Sequence, residues 1–321
     1  MTLPLRIAAG LAGLVALVAA TLVAMHWAPD RPLAELTARW APPPSAFLQV
    51  AGLRAHVRDE GILDDPLPIV LLHGTSSSLH TWDGWAEILR RDRRVVRVDL
   101  PGFGLTGPTA DGDYRIERYI EFVAALLDML GIEQCVLAGN SFGGWVSWET
   151  ALAYPQRVQA LVLVDAAGYP LESQSVPIGF RVAGVPGLNR LMQVTLPRGV
   201  VESSLRNTYG DPSRVTPELV ERYYELTLRE GNRAALARRF ADGRHALRTE
   251  RIRDIRTPTL ILWGGRDRLI PPRYAEQFQR DIAGSHLVMF PELGHVPHEE
   301  DPRATVAAVR EFLHIAPAGL N

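Results

Sequence analysis

Leu137-Ala138-Gly139-Asn140-Ser141-Phe142-Gly143-Gly144 decides how this chain is read. Before it, the apolar run from Cys135 to Ala138 has the length of a short buried strand. After it, Trp145 to Tyr154 reads as a helix that Pro155 ends. Between the two lies Gly-x-Ser-x-Gly, centred on Ser141. In a strand–turn–helix setting that pattern forces a sharp turn and lifts the serine hydroxyl out of the sheet edge. Gly139 and Gly143 supply the room, because a Cβ at either position would meet the neighbouring strand or helix. An ordinary Gly-rich turn has the same signature, so the flanking chain must decide between them.

Working outward, Ile69 to Leu72, Val95 to Val98 and Leu161 to Val164 are continuous apolar runs, as expected of parallel strands covered on both faces. Phe47 to Val50 and Leu53 to Val57 flank Gly52 as a hairpin. Thr259 to Trp263 and His286 to Phe290 complete the set. Helical patterns separate them: Trp82 to Arg90, Ile116 to Leu130, Arg273 to Ile282 and Arg303 to Phe312. Strands alternating with helices predict an α/β fold on a mostly parallel sheet. Each strand ends in a turn-rich loop, where open α/β sheets place ligands. These loops hold His73-Gly74-Thr75, Asp99-Leu100-Pro101-Gly102, Asp165, Gly264-Gly265-Arg266-Asp267 and Gly294-His295. His73 and Asp99 read as turn residues.

Composition narrows the chemistry. The 321 residues are 47% hydrophobic and 22% charged, enough for a large core, and the net charge of -2 gives no reason to expect a nucleic-acid partner. Every basic residue is arginine, which excludes a P-loop lysine, a Schiff base and Ser-x-x-Lys hydrolases. Cys135 is the single cysteine, so no intrachain disulfide forms. The histidines lack a His-x-x-x-His ligand spacing, and neither metal nor other cofactor is expected.

Residues 7–25 carry no charge, and as a helix they span about 28 Å, near the roughly 30 Å of a bilayer core. The run exceeds a usual signal-peptide core, and its best cleavage site, Val18-Ala19-Ala20, lies inside it. Residues 1–28 therefore read as a membrane anchor or a signal segment. An anchor implies a membrane-tethered, exported catalytic part; a signal segment implies secretion. Residues 29–45, ending in Pro42-Pro43-Pro44, read as a semi-rigid spacer with an amphipathic turn from Leu33 to Trp40.

Between residues 168 and 256 strand signals vanish. Leu188 to Leu196, Val200 to Thr208, Thr216 to Arg229 and Asn232 to Leu247 read as helices, a cap inserted over the sheet's carboxyl edge. Arg222, Arg229, Arg233, Arg238 and Arg239 read as its solvated faces. The domain itself comprises residues 46–167 and 257–316.

Ser141, Asp267 and His295 fall beyond strand ends in the order Ser, Asp, His. A serine hydroxyl attacks once a base takes its proton, and an imidazole of pKa about 6.5 does so at neutral pH. A carboxylate fixes the imidazole's tautomer and stabilises its cation. Asp165 competes with Asp267 as that acid, and His298 with His295 as base.

On His73-Gly74-Thr75, Asp99-Leu100-Pro101-Gly102-Phe103-Gly104, Gly139-Asn140-Ser141-Phe142-Gly143-Gly144, Gly264-Gly265-Arg266-Asp267 and Gly294-His295-Val296-Pro297-His298-Glu299, in that order, the chain resembles the α/β-hydrolase-fold serine hydrolases over nearly all its length beyond residue 45. The resemblance implies an eight-stranded, mostly parallel sheet with helices on both faces and a cap. It implies Ser141 as nucleophile, Asp267 as acid and His295 as base, with an oxyanion hole from the N–H groups of Thr75 and Phe142. The chain is similar to membrane-anchored monoacylglycerol-lipase-like esterases, which implies an ester or lipid with an apolar acyl chain. The elbow is also similar to that of the meta-cleavage-product hydrolases, which break carbon–carbon bonds; they usually carry Trp after the catalytic His, where this chain has Val296. A non-catalytic ligand-binding member of the fold is the third alternative.

Overall fold

A computed structural model describes residues 23–183, 185, 192–243 and 247–315, together with residues 11, 13, 14, 17, 18, 20 and 21. Nine of the nineteen residues of the apolar run at residues 7–25 thus lie outside the described residues. Among those described, no helix is long and apolar enough to cross a membrane. Leu11, Leu14, Leu17 and Met25 are exposed.

Eight strands form one sheet: β1 (Ser45–Val50), β2 (Leu53–Gly61), β3 (Ile69–Leu72), β4 (Arg94–Val98), β5 (Cys135–Asn140), β6 (Val158–Val164), β7 (Thr259–Gly264) and β8 (His286–Phe290). Their order is β1-β2-β4-β3-β5-β6-β7-β8. β1 and β2 run antiparallel, and β4 through β8 pair in parallel. The apolar runs are continuous because alternate residues serve opposite faces. In β5, Cys135 and Leu137 enter one core with Phe122, Trp148 and Phe278, while Val136 and Ala138 enter the other with Trp82, Trp85 and Phe312. β3 and β6 divide their side chains the same way. β3 lies between β4 and β5, so the chain reverses its direction of winding there. A crevice opens at such a switch point.

The helices of the domain are α2 (Asp83–Leu89), α3 (Ile116–Met129), α4 (Phe142–Ala153), α9 (Arg273–Asp281), the short α10 (Pro297–Glu300) and α11 (Pro302–Ile315); α1 (Leu33–Trp40) precedes the sheet. Between β6 and β7 the described regular elements are all helical: α5 (Ile178–Ala183), α6 (Arg198–Thr208), α7 (Pro217–Thr227), α8 (Asn232–Gly243) and 3-10 turns. Thr216 caps α7 by accepting the Leu219 N–H, with Pro217 at the first position. The expected helix from Leu188 to Leu196 falls partly outside the described residues. Its described end is not helical, because Thr195 bridges Trp27.

Two expectations change here. The stretch read as a spacer is docked on the insert. Glu225, 7% exposed, accepts hydrogen bonds from Arg31 (2.8 Å), Arg39 (3.1 Å) and the Trp40 indole (2.7 Å). Leu36 packs with Leu105 and Leu226. The arginines read as solvated are also largely committed. Arg233 is buried against Asp30, Arg222 pairs with Glu299, and Arg239 is buried; Arg238 alone of these is exposed. Their partners are far away in sequence, so helical periodicity could not disclose them.

Candidate active site

Ser141 sits between β5 and α4 with φ 53° and ψ -116°, a strained conformation for a residue bearing a Cβ. The turn is held by the Ser141 N–H on the Val164 carbonyl (3.0 Å) and the Trp145 N–H on the Ser141 carbonyl (3.1 Å). A Cβ on Gly139 would lie 2.2 Å from the Gly143 carbonyl oxygen, and one on Gly143 would lie 2.3 Å from that of Leu72. Neither position accepts a side chain. Helix α4 starts at Phe142, three residues earlier than the sequence pattern indicates. The Phe142 N–H therefore belongs to the helix's unpaired first turn, where the dipole favours negative charge. Thr75, in the loop after β3, lies on the same pocket wall. Neither the Thr75 nor the Phe142 backbone N–H is bonded to another described group.

His295 and Asp267 meet at 2.7 Å, Nδ1 to Oδ2, both nearly fully buried. Asp267 Oδ1 accepts the N–H groups of Leu269 (2.8 Å) and Ile270 (3.0 Å), which leaves Oδ2 for the imidazole. Asp165, the rival acid, makes no hydrogen bond to His295. Its Oδ1 accepts the Gly264 N–H at 3.0 Å, and its Oδ2 is buried without a donor. Burial and the neighbouring Asp267 charge push the Asp165 carboxyl well above the usual range. Asp165, Asp267 and His295 are the described group whose donor atoms converge closely enough for a metal, within 4.8 Å. Both Asp267 oxygens are already engaged, however.

His298, the rival base, lies away from Ser141. It is bonded through Nε2 to Thr81 (3.0 Å) and packs with its ring centroid 4.0 Å from that of Trp82, tilted by 34°; burial pushes its pKa well down. His73 donates from Nδ1 to the Gly74 carbonyl and accepts the Leu100 N–H on Nε2, tying the β3 and β4 loops together.

Sequence reasoning missed two supports. The Asn140 amide donates to the carbonyls of Val164 (3.1 Å) and His295 (3.0 Å), locking the serine turn to the histidine loop. Glu300 accepts the Gly294 N–H (2.6 Å) on one oxygen and the Gly210 N–H (2.9 Å) on the other. The His295 N–H reaches the Thr208 carbonyl at 2.7 Å. The insert thus holds the loop that carries the histidine. Asn140 sat inside the quoted motif, but nothing in the pattern pointed to its partners.

Ser141, Thr75 and His295 open on a pocket of about 900 Å³, its mouth included. Phe180, Met192, Leu196, Val201, Leu205 and Leu236 from the insert supply most of its wall. No Asp, Glu or Arg is among the described residues of the lining. Ser141 Oγ makes no hydrogen bond among the described residues; such bonds commonly tighten only when substrate binds.

The family model described as alpha/beta hydrolase fold matches residues 68–302. A 2-hydroxy-6-oxo-2,4-heptadienoate hydrolase from Pseudomonas putida is 32% identical over 274 residues, covering 82% of this chain and 93% of that one. Among solved structures, a meta-cleavage product hydrolase from Pseudomonas fluorescens IP01 superposes with TM-score 0.72 at 25% identity, covering 84% and 97%. A membrane phospholipase A, titled a bacterial virulence factor, superposes with TM-score 0.75 at 25% identity, covering 98% and 99%. That coverage extends into the amino-terminal run.

Proposed function

Because this chain belongs to the α/β-hydrolase fold family and is a hydrolase, we propose that it cleaves carboxylic esters with apolar acyl chains through an acyl-serine. Ser141 Oγ attacks the carbonyl carbon while His295 Nε2 takes its proton, and Asp267 holds the imidazolium through Nδ1. The carbonyl oxygen, now anionic, accepts the N–H groups of Thr75 and Phe142. The intermediate collapses as His295 protonates the departing alkoxide, and water releases the acid by the same steps.

The pocket carries this reading. An acyl chain gains by leaving water for a wall of Phe, Met, Leu and Val, at about 0.8 kcal/mol per buried methylene. A dienoate carboxylate would meet no cationic side chain among the described lining residues, Arg239 lying behind Thr75, and an unpaired buried charge costs several kcal/mol. The full-chain likeness to a membrane phospholipase A supports a lipid ester and a membrane anchor at residues 7–25, with the catalytic part exported. Carbon–carbon bond hydrolysis is the second reading, favoured by the Pseudomonas putida relative.

The test is the full-length chain in detergent, beside Ser141→Ala. Substrates are p-nitrophenyl esters from acetate to palmitate, a phosphatidylcholine, and 2-hydroxy-6-oxo-hepta-2,4-dienoate. Turnover of medium or long esters, lost in Ser141→Ala, is expected. Turnover of the dienoate alone transfers the assignment to carbon–carbon cleavage. Binding without turnover of any substrate removes the enzymatic reading.

A further inference from the structure

The described arginines that are buried are Arg97, Arg233 and Arg239. Arg97 is paired with Glu60 and Asp83, and Arg233 with Asp30. Arg239 is 7% exposed and has no carboxylate partner among the described residues. Its Nη2 donates to Thr75 Oγ1 at 2.8 Å, and its Nε has no partner. Its guanidinium carbon lies 4.3 Å from the Phe142 ring centroid, 4.9 Å from that of Phe240 and 5.5 Å from that of Phe103. Ring faces attract a cation but do not neutralise it. Burial accordingly pushes the Arg239 pKa below its ordinary value.

An isolated buried guanidinium is costly, so its location matters. Arg239 touches Thr75 and Phe142, the two residues proposed above as oxyanion donors. We propose that Arg239 is a positioning and charge-supplying residue for the oxyanion hole. Its bond to Thr75 Oγ1 orients the Thr75 N–H, and its uncompensated charge offsets the negative charge that develops when Ser141 attacks. The ground-state carbonyl carries little charge, so the benefit falls on the transition state. α8 brings the arginine there by docking Asn232, Ala235 and Leu236 on the same side; the Asn232 amide donates to the Gly104 carbonyl at 3.0 Å. This inference rests on the Ser141 acyl-transfer reading and holds for ester or carbon–carbon cleavage.

The experiment compares wild type, Arg239→Met, Arg239→Lys, Thr75→Val and Ser141→Ala. It measures kcat, KM, and affinity for a boronic acid that adds to Ser141 as an anionic tetrahedral adduct. Arg239→Met is expected to lower kcat by about 10²-fold, comparable to losing one oxyanion donor, with KM within about threefold. Boronate affinity should fall in step, and Arg239→Lys should recover part of both. Should Arg239→Met not fold, Thr75→Val cuts the same link and should lower kcat about tenfold with KM held. Unchanged kcat in a folded Arg239→Met overturns the inference, as does a loss confined to KM or one that lysine does not relieve. If wild type and Ser141→Ala turn over alike, the acyl-transfer reading itself fails, which separates the two failures.

Discussion

Replacing Asp165 by Asn tests whether a neutral acid stands behind the triad. Asp165 is fully buried, with Oδ1 on the Gly264 N–H at 3.0 Å and Oδ2 without a donor. Burial, then the Asp267 charge and more weakly Glu300, raise its pKa well above 3.8. A raised folded-state pKa means that, above the unfolded value, unfolding releases a proton. Stability from this site is therefore full below pH 3.8 and declines as pH rises toward the folded pKa. One proton sets the maximum slope, about 1.4 kcal/mol per pH unit. Asn mimics the protonated acid, its carbonyl accepting the Gly264 N–H, and it does not titrate. Asn also tolerates the residue's φ of 43°, a gain independent of pH. The diagnostic quantity is thus the slope. Urea unfolding at pH 4 to 8 should show the Asp165→Asn advantage growing with pH while ester turnover persists. A difference flat across that range would refute the raised Asp165 pKa.

Asp267→Asn should behave oppositely, cutting kcat by about 10⁴-fold with little change in KM, because the wrong imidazole tautomer is then held toward Ser141; p-nitrophenyl ester kinetics on the two asparagine variants would expose a swapped assignment at once. Glu300→Ala strands the Gly294 and Gly210 N–H groups, each worth about 1–3 kcal/mol when buried and unsatisfied, and should lower both the urea midpoint and kcat. A normal kcat in that variant would show that the histidine loop does not need this support. Glu225→Ala should free α1 from the insert at a cost of about 1 kcal/mol, since Arg31 and Arg39 are themselves substantially exposed. Trypsin cleavage after Arg39 should accelerate, and an unchanged rate would mean that Leu36 and its neighbours hold the segment alone.

What was legible in the sequence follows from the range of the interactions involved. β3, β5 and β6 could be read because burial on both faces leaves no polar position to break the apolar run, and each run is written in consecutive residues. Gly139 and Gly143 could be read because a backbone 2.2–2.3 Å from any added Cβ permits only glycine, whatever lies elsewhere. Ser141, Asp267 and His295 could be aligned because strand ends of a parallel sheet share one edge. Contacts between elements left no such trace. Arg239 has the same residue type and helical spacing as the exposed Arg238, and only the fold puts one against Thr75 and the other in water. Pro-rich composition at residues 29–45 records the chain's stiffness, whereas its docking depends on Glu225, nearly two hundred residues away. Glu300 carries no signal in the sequence, because its partners Gly210 and Gly294 approach it from two separate loops. The proposed triad is thus legible in local pattern, while the charges around it are set by long-range packing, and the variants above separate these two contributions.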